Sequence, residues 1–513
     1  MTRPDFPHDY IQETEDRSWT LRLLDAVIKS EEGDDLEDVF DSLSVLDDYR
    51  VLEPLTRILV DRSAPAYLRE AASEILHSCN TNDTEEERRS WWSSGDTILM
   101  RHAVIMAERT ETDLIEMIAN NPEHEFYIDA IDKLSVRFTE PKFQRLKIKA
   151  LSNPDKEIQY IAARALYWDQ PVAAEEALIS AAGDDDNEVA QEATKTLTFY
   201  CSRRVVTALA NLAGNGPETR RAQAEEALAK ISQDVLDNLR DLERKDSAAA
   251  AYFKSWLSPV WDILSVQNLA PSEQTIHGNS TPDKDEELRH VQSASEIMSS
   301  LDNPDQKWAT RWKYMDSIDW ISLSNKDRAE LIQYFSNHPD WSVRKWACPL
   351  LSKMQAAETL LAFLDDPFFT VRTSSTYYIR EVAQDNRIAN RLWEMIQNQK
   401  VDGTHASEAL GSHVKHSEDT HIDDRLAELA LTDERESIKV AAIELLSKRA
   451  AREQIKRLLP LLKPEPFVTW ASHDRIIDAC HNLNIPIPGI EALSEVDDIW
   501  LQQSLALYLG KRE

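Results

Sequence analysis

Four histidines fall close together late in the chain, His405, His413, His416 and His421, beside Glu418, Asp419 and Asp423. Imidazoles and carboxylates together suit a divalent transition metal. His413 and His416 stand three residues apart, so on a helix both rings would point the same way. The stretch 411–420 is polar, however, and reads as a loop, where exposure to water is the expected state of His413, His416 and His421. Elsewhere His124 is followed four residues later by Ile128, so the helical zinc-protease pattern is absent. No glycine-rich phosphate loop or GxSxG elbow occurs. The cysteines, Cys79, Cys201, Cys348 and Cys480, are each more than a hundred residues apart and form no CxxC pair. They read as buried thiols of a reducing compartment. No catalytic residue is assigned, no cofactor is expected, and the chain is read as no enzyme.

Two other patterns concern recognition. Fourteen aromatic residues fall between 308 and 393, twice the density of the whole chain. Adjacent pairs such as Phe368-Phe369 and Tyr377-Tyr378 cannot both face a core, so Phe369 and Tyr377 are expected at the surface, where aromatics anchor interfaces. Nine acidic groups crowd 31–48, among them Asp34, Asp35, Glu37 and Asp38, which are expected to dock a basic partner. The net charge of −33 repels nucleic acid and anionic membrane surfaces, so neither is expected as a partner. The N-terminus lacks the apolar core of a signal peptide, and no apolar run reaches membrane-spanning length. A cytoplasmic location is expected.

The elements that carry these residues follow a repeat. Residues 47–59 place apolar side chains at 51, 55, 58 and 59, one face of a first helix. After a break at 61–65, a second helix carries Leu68, Ala72, Ile75 and Leu76 on its inner face. Its motif is apolar, often basic, two variable positions, then small. It recurs from Leu99, Phe126, Ile158 and Val189, and again from Val343, Val371 and Ile438. Steps near 30 residues mark a solenoid of helix pairs. The small residue lets two helices approach closely. Turns such as Asn153-Pro154-Asp155, His338-Pro339-Asp340 and Asp365-Asp366-Pro367 stop one helix and cap the next. Glycine, 10 of 513 residues, is too scarce for propellers or dinucleotide-binding sheets.

This pattern resembles the HEAT-like repeats, in particular the short units first noted in phycobilin lyases. The resemblance implies an all-α, right-handed α-solenoid of roughly 13–15 antiparallel helix pairs. It also implies a structural ladder, in which Arg69, Arg344 and Arg372 pair with turn aspartates of the same or the next unit; Asp61, Asp340 and Asp365 are available. Of the enzymes on this scaffold, deoxyhypusine hydroxylases need repeated His-Glu pairs, and only His124-Glu125 is present. Alkylpurine glycosylases need a basic concave face, which the charge opposes. No residue carries over bilin binding.

The expected organisation is an N-terminal extension and capping helix over 1–30, a first solenoid half over 31–269, an exposed linker over 270–286, and a second half with a capping helix over 287–513. The repeat fades between 232 and 290, although 236–242 and 252–269 still read as helical. The expected function is a non-catalytic scaffold or adaptor for a protein partner with a basic surface. The alternatives are an acidic immunity or inhibitor protein that neutralises a basic toxin or nuclease, and a lyase-chaperone or metal-dependent enzyme acting on a bound protein.

Overall fold

The computed structural model describes residues 8, 11, 16–31, 37–79, 81, 83–167, 170–200, 202–266, 293–302, 314–315, 318–383, 385–397, 403–414, 420–463 and 471–510. All regular elements among them are helices. The fold is an α-solenoid of stacked helix pairs. The repeat motif fixes the close approach of each pair. Ala72, Ala103, Ala130, Ala162, Ala193, Ala347, Ser375 and Ala442 are all buried, with at most 1% of their surface exposed. Helix starts follow from side-chain oxygens that accept first-turn N–H groups. Asp155 accepts from Glu157, Asp186 from Glu188 and Val189, and Asp340 from Ser342. Thr84 and Ser293 form capping boxes with Glu87 and Glu296.

The chain forms two compact units, each assembled from two stretches of sequence. The first unit holds 1–111 and 279–414, the second 112–278 and 415–513. These units cut across the halves expected on either side of 270–286. That linker itself lies outside the described residues.

In the first unit, Leu52–Val60 pairs with Ala66–Ser78, Glu85–Trp92 with Thr97–Met106, and Asn386–Gln397 with Gly403–Val414. The second helices stack along the unit, Trp341–Lys353 on Phe369–Tyr378 and that on Gly403–Val414. The two stretches are joined by buried Arg17, whose Nη1 donates to Asp340 at 2.9 Å, and by Arg372, whose Nη2 donates to Glu108 at 3.1 Å.

In the second unit, Glu175–Ala182 pairs with Asn187–Leu197, and Thr420–Thr432 with Glu436–Lys448. The fading repeat is resolved as one 28-residue helix, Glu218–Lys245. It contains no proline or glycine and is rich in strong helix formers, so nothing interrupts it. Its buried residues Ala224, Ala227, Leu228, Ile231, Val235, Leu239 and Leu242 keep helical spacing. The helix expected over 252–269 is instead divided into Ser247–Trp256, the 3₁₀ turn Ser258–Val260 and Trp261–Val266. Pro259 lacks the N–H that a continuous helix would use. The final helix Ile499–Gly510 lies against Ser247–Trp256, joining the two stretches. Gln502 accepts from the Tyr252 hydroxyl there.

Candidate recognition groove

The helix Asn325–Asn337 buries Leu331 and Phe335 in the first unit. Its adjoining stripe, Glu330, Gln333, Tyr334 and Asn337, follows the i, i+3, i+4, i+7 spacing of one helical face and stays accessible. Opposite stands the end of Ala294–Leu301, with Met298, Leu301 and Asp302. Tyr49 and the turn His338-Pro339-Asp340 complete the lining. The result is an open groove of about 600 Å³.

Its chemistry is acidic and aromatic. The Tyr334 hydroxyl donates to Asp302 Oδ1 at 2.8 Å, fixing the ring beside the carboxylate. The Tyr334 ring also meets the His338 ring edge-on at 5.1 Å. Among the described residues Glu330 is held by an exposed contact to Lys326 at 3.6 Å. Asp340 is committed to Arg17 and to its own helix cap, so Asp302 and Glu330 carry the groove's available negative charge. No lysine or arginine lines it among the described residues. Such walls suit a cationic side chain, held by carboxylates and by tyrosine faces.

The second unit contains a groove of about 580 Å³ in which the charges of Arg203, Arg204 and Asp497 are spent internally. Asp497 accepts from the backbone N–H groups of Arg203 and Arg204 and from Arg203 Nε at 2.7 Å. The Arg203 guanidinium stacks on Trp256 at 4.3 Å. Arg204 and Ser202 donate to Glu175, whose burial nevertheless raises its carboxyl to about 7. Burial likewise pushes Asp498 to about 7 and Asp478 to about 6.

The residues singled out in the sequence are placed as follows. Asp34 and Asp35 lie outside the described residues. Glu37 opens the helix Glu37–Leu46, and Asp38 is exposed on it. Phe369 and Tyr377 are half-buried, with Arg372 over the Phe369 ring at 5.7 Å and Arg380 over Tyr377 at 3.8 Å. None of the described ones is among the residues that line the groove.

The arginine ladder exists with different acids. Arg69 donates to Asp96 of the next pair at 2.8 Å, not to Asp61, which accepts from Ser63. Arg344 makes a two-pronged contact with Asp366, at 2.7 and 2.9 Å, not with Asp365. Asp365 contacts Arg391 instead. Arg372 reaches Glu108, and Asp340 receives Arg17. The inward acid of each turn is set by the helix that follows it. Asp365 is exposed, whereas Asp366 is buried and accepts the Phe368 N–H.

The late histidines are not gathered into one site among the described residues. The stretch 411–414 is helical rather than looped, since Gly403–Val414 continues through it. His413 is buried. Its Nε2–H donates to the Ile379 carbonyl at 3.0 Å, and its Nδ1 accepts from the Asp385 N–H at 3.4 Å. Burial lowers its pKa and keeps the ring neutral. His421 is exposed, and His416 lies outside the described residues. Among the described residues no group of three or more His, Cys, Asp or Glu side chains is placed to hold a metal, and no helix is long and apolar enough to cross a membrane.

Apart from Tyr334, which falls in the aromatic window, and the turn His338-Pro339-Asp340, the groove residues escaped the sequence reading. Their signal was the polar, aromatic stripe of Asn325–Asn337, but Asp302 and Tyr49 join it only through folding.

Among solved structures, the chain is 13% identical to Kap121p over 95% of its own length and 53% of that chain, with a TM-score of 0.29. Importin beta gives 12% identity, coverage of 93% and 70%, and a TM-score of 0.29. An engineered protein gives 17% identity over 41% and 96%, with a TM-score of 0.19. The chain thus spans about half the length of Kap121p. Superpositions this partial carry no functional argument. No curated protein matches the chain in sequence. The family model that matches is that of HEAT repeats, over residues 145–229, which is a class of structural repeat and names no catalysis.

Proposed function

We propose that this protein is a non-catalytic binding scaffold whose first unit takes a lysine- or arginine-bearing segment of a protein partner. The observation that supports this reading is the groove itself: two carboxylates, Asp302 and Glu330, line it together with Tyr49 and Tyr334, and no basic side chain lines it among the described residues. A net charge of −33 adds a long-range field that speeds the approach of basic proteins. The charge equally suits the inhibitor reading, in which the partner is a basic toxin or nuclease. The cytoplasmic location belongs to the same proposal.

The test is a titration of lysine-rich, arginine-rich and glutamate-rich peptides against the full chain and the Asp302→Asn/Glu330→Gln variant. Basic peptides are expected to bind selectively, with an on-rate that falls as salt screens the field. The double variant is expected to lose about tenfold or more, as removing charge-assisted contacts does. Basic peptides that bind both proteins equally would place recognition elsewhere.

A further inference from the structure

Ser73 and His77 sit one turn apart on the helix Ala66–Ser78 and face His102 on Thr97–Met106. Three of their polar atoms form a nearly equilateral triangle. Ser73 Oγ lies 3.0 Å from His102 Nδ1 and 3.1 Å from His77 Nε2, and the two nitrogens are 3.0 Å apart. His102 and Ser73 are buried, whereas His77 is half-buried at the rim, which gives access from solvent. The opposite nitrogen of His102 faces Asp83 Oδ2 at 3.5 Å, and that carboxylate is 5% exposed. The Trp91 ring meets the His102 ring edge-on at 5.4 Å and walls the site.

With Nδ1–H on His77 and Nε2–H on His102 the two facing nitrogens present converging lone pairs; with Nε2–H on His77, that proton instead bridges the 3.0 Å to His102 Nδ1 and a metal must displace it. With the His102 Nε2–H turned toward Asp83, its Nδ1 presents a lone pair to the triangle. Ser73 has one hydroxyl proton to share between two imidazole nitrogens. We propose that this triangle binds one divalent cation of the zinc class, ligated by His77 Nε2 and His102 Nδ1. The Ser73 hydroxyl or a water held by it takes a third position, and Asp83 orients His102 from behind. A carboxylate on the far nitrogen is the usual support of a metal-bound histidine. Zinc–nitrogen bonds of about 2.0–2.1 Å in a tetrahedron separate the ligands by about 3.4 Å. The two nitrogens therefore need to part by only a few tenths of an ångström, which the half-buried His77 ring can supply. Imidazole donors without thiolate select zinc, nickel or copper over magnesium or calcium. Two imidazoles leave coordination positions open, unlike a closed four-ligand structural site.

The experiment is a Zn²⁺ titration of the full chain after chelator treatment, paired with electron paramagnetic resonance of the Cu²⁺-loaded protein. One equivalent of Zn²⁺ is expected to bind, with signals from two imidazole nitrogens on Cu²⁺. His77→Ala should weaken binding about tenfold or more and leave one nitrogen, and Asp83→Asn should weaken it by roughly 10–100-fold. His77 lies at the rim, so its variant tests the site without opening the core. No uptake of Zn²⁺ by the wild-type protein, or an affinity and nitrogen count unchanged in His77→Ala, would overturn the assignment. The second result would place the metal outside this triangle.

Discussion

At the scale of single residues, the second helix of a repeat is held by what its backbone lacks. Pro349 lies inside Trp341–Lys353 and has no N–H for the Lys345 carbonyl four residues earlier. The Ser374 hydroxyl, from the next second helix, donates to that carbonyl at 3.2 Å. Ser374→Ala is expected to cost about 1 kcal/mol by thermal or urea unfolding. In a Pro349→Ala background, where the backbone can supply the bond itself, the cost should largely vanish. The neighbouring Ala347 is fully buried, and Ala347→Phe should destabilise by about 1–3 kcal/mol through overpacking. Lys345, two residues before Ala347, falls on the opposite side of that helix by spacing. It is half-buried, its ammonium lies 4.6 Å from the Trp346 ring, and burial lowers its pKa. Its replacement should therefore be felt as lost packing, although less than Ala347→Phe.

At the scale of elements, buried charge decides how the terminal helices attach. In the first unit, Arg17 and Asp340 are each about 1% exposed, and Arg17 also donates to the carbonyls of Leu46 and Asp47. Arg17→Met would leave Asp340 buried with its charge uncompensated, and about 3–5 kcal/mol should be lost in chemical denaturation. In the second unit, Asp498 caps Ile499–Gly510 by accepting from the Leu501 N–H, and Glu175 and Asp474 are charged neighbours. Asp498 and Glu175 have folded pKa values of about 7, raised chiefly by burial above an unfolded value near 4. The folded state then binds more protons than the unfolded one between those limits, so stability falls as pH rises through that window. The melting temperature should be lower at about pH 8 than at about pH 6. Asp498→Asn keeps the cap and removes a buried charge, so it should reduce that difference. A pH dependence unchanged in the variant would assign the effect to general repulsion among acidic groups.

At the scale of the whole molecule, each unit is completed by sequence from two places. Cutting between 278 and 279 separates the stretches of both units at once. Fragments 1–278 and 279–513 expressed alone are expected to lack sharp cooperative melting, and co-expression should restore it. Independent, native-like melting of each fragment would mean that a linear array suffices. A simple solenoid tolerates such division better, because its repeats depend only on neighbours along the chain. Here Arg17–Asp340, Arg372–Glu108 and Arg203–Asp497 supply contacts that no neighbouring repeat can replace.

The sequence by itself determined the helix pairs of the clear repeats and the inner faces of their second helices. Spacing and short turns are local properties, and the small residues from Ala72 to Ala442 mark where pairs must touch. The resemblance to HEAT-like repeats implied that arginines on second helices would be tied to turn acids. Which acid each arginine found was a tertiary decision. Asp365 and Asp366 are adjacent and chemically identical, and only the path of the following helix turns one inward. The same holds for His413, whose ring nitrogens are taken up by Ile379 and Asp385 once it is buried. The groove at Asp302, Glu330 and Tyr334 and the triangle of Ser73, His77 and His102 both join separate helices. Sequence periodicity records the face a residue occupies on its own helix. It does not record what that face meets, because the packing of other helices sets the meeting.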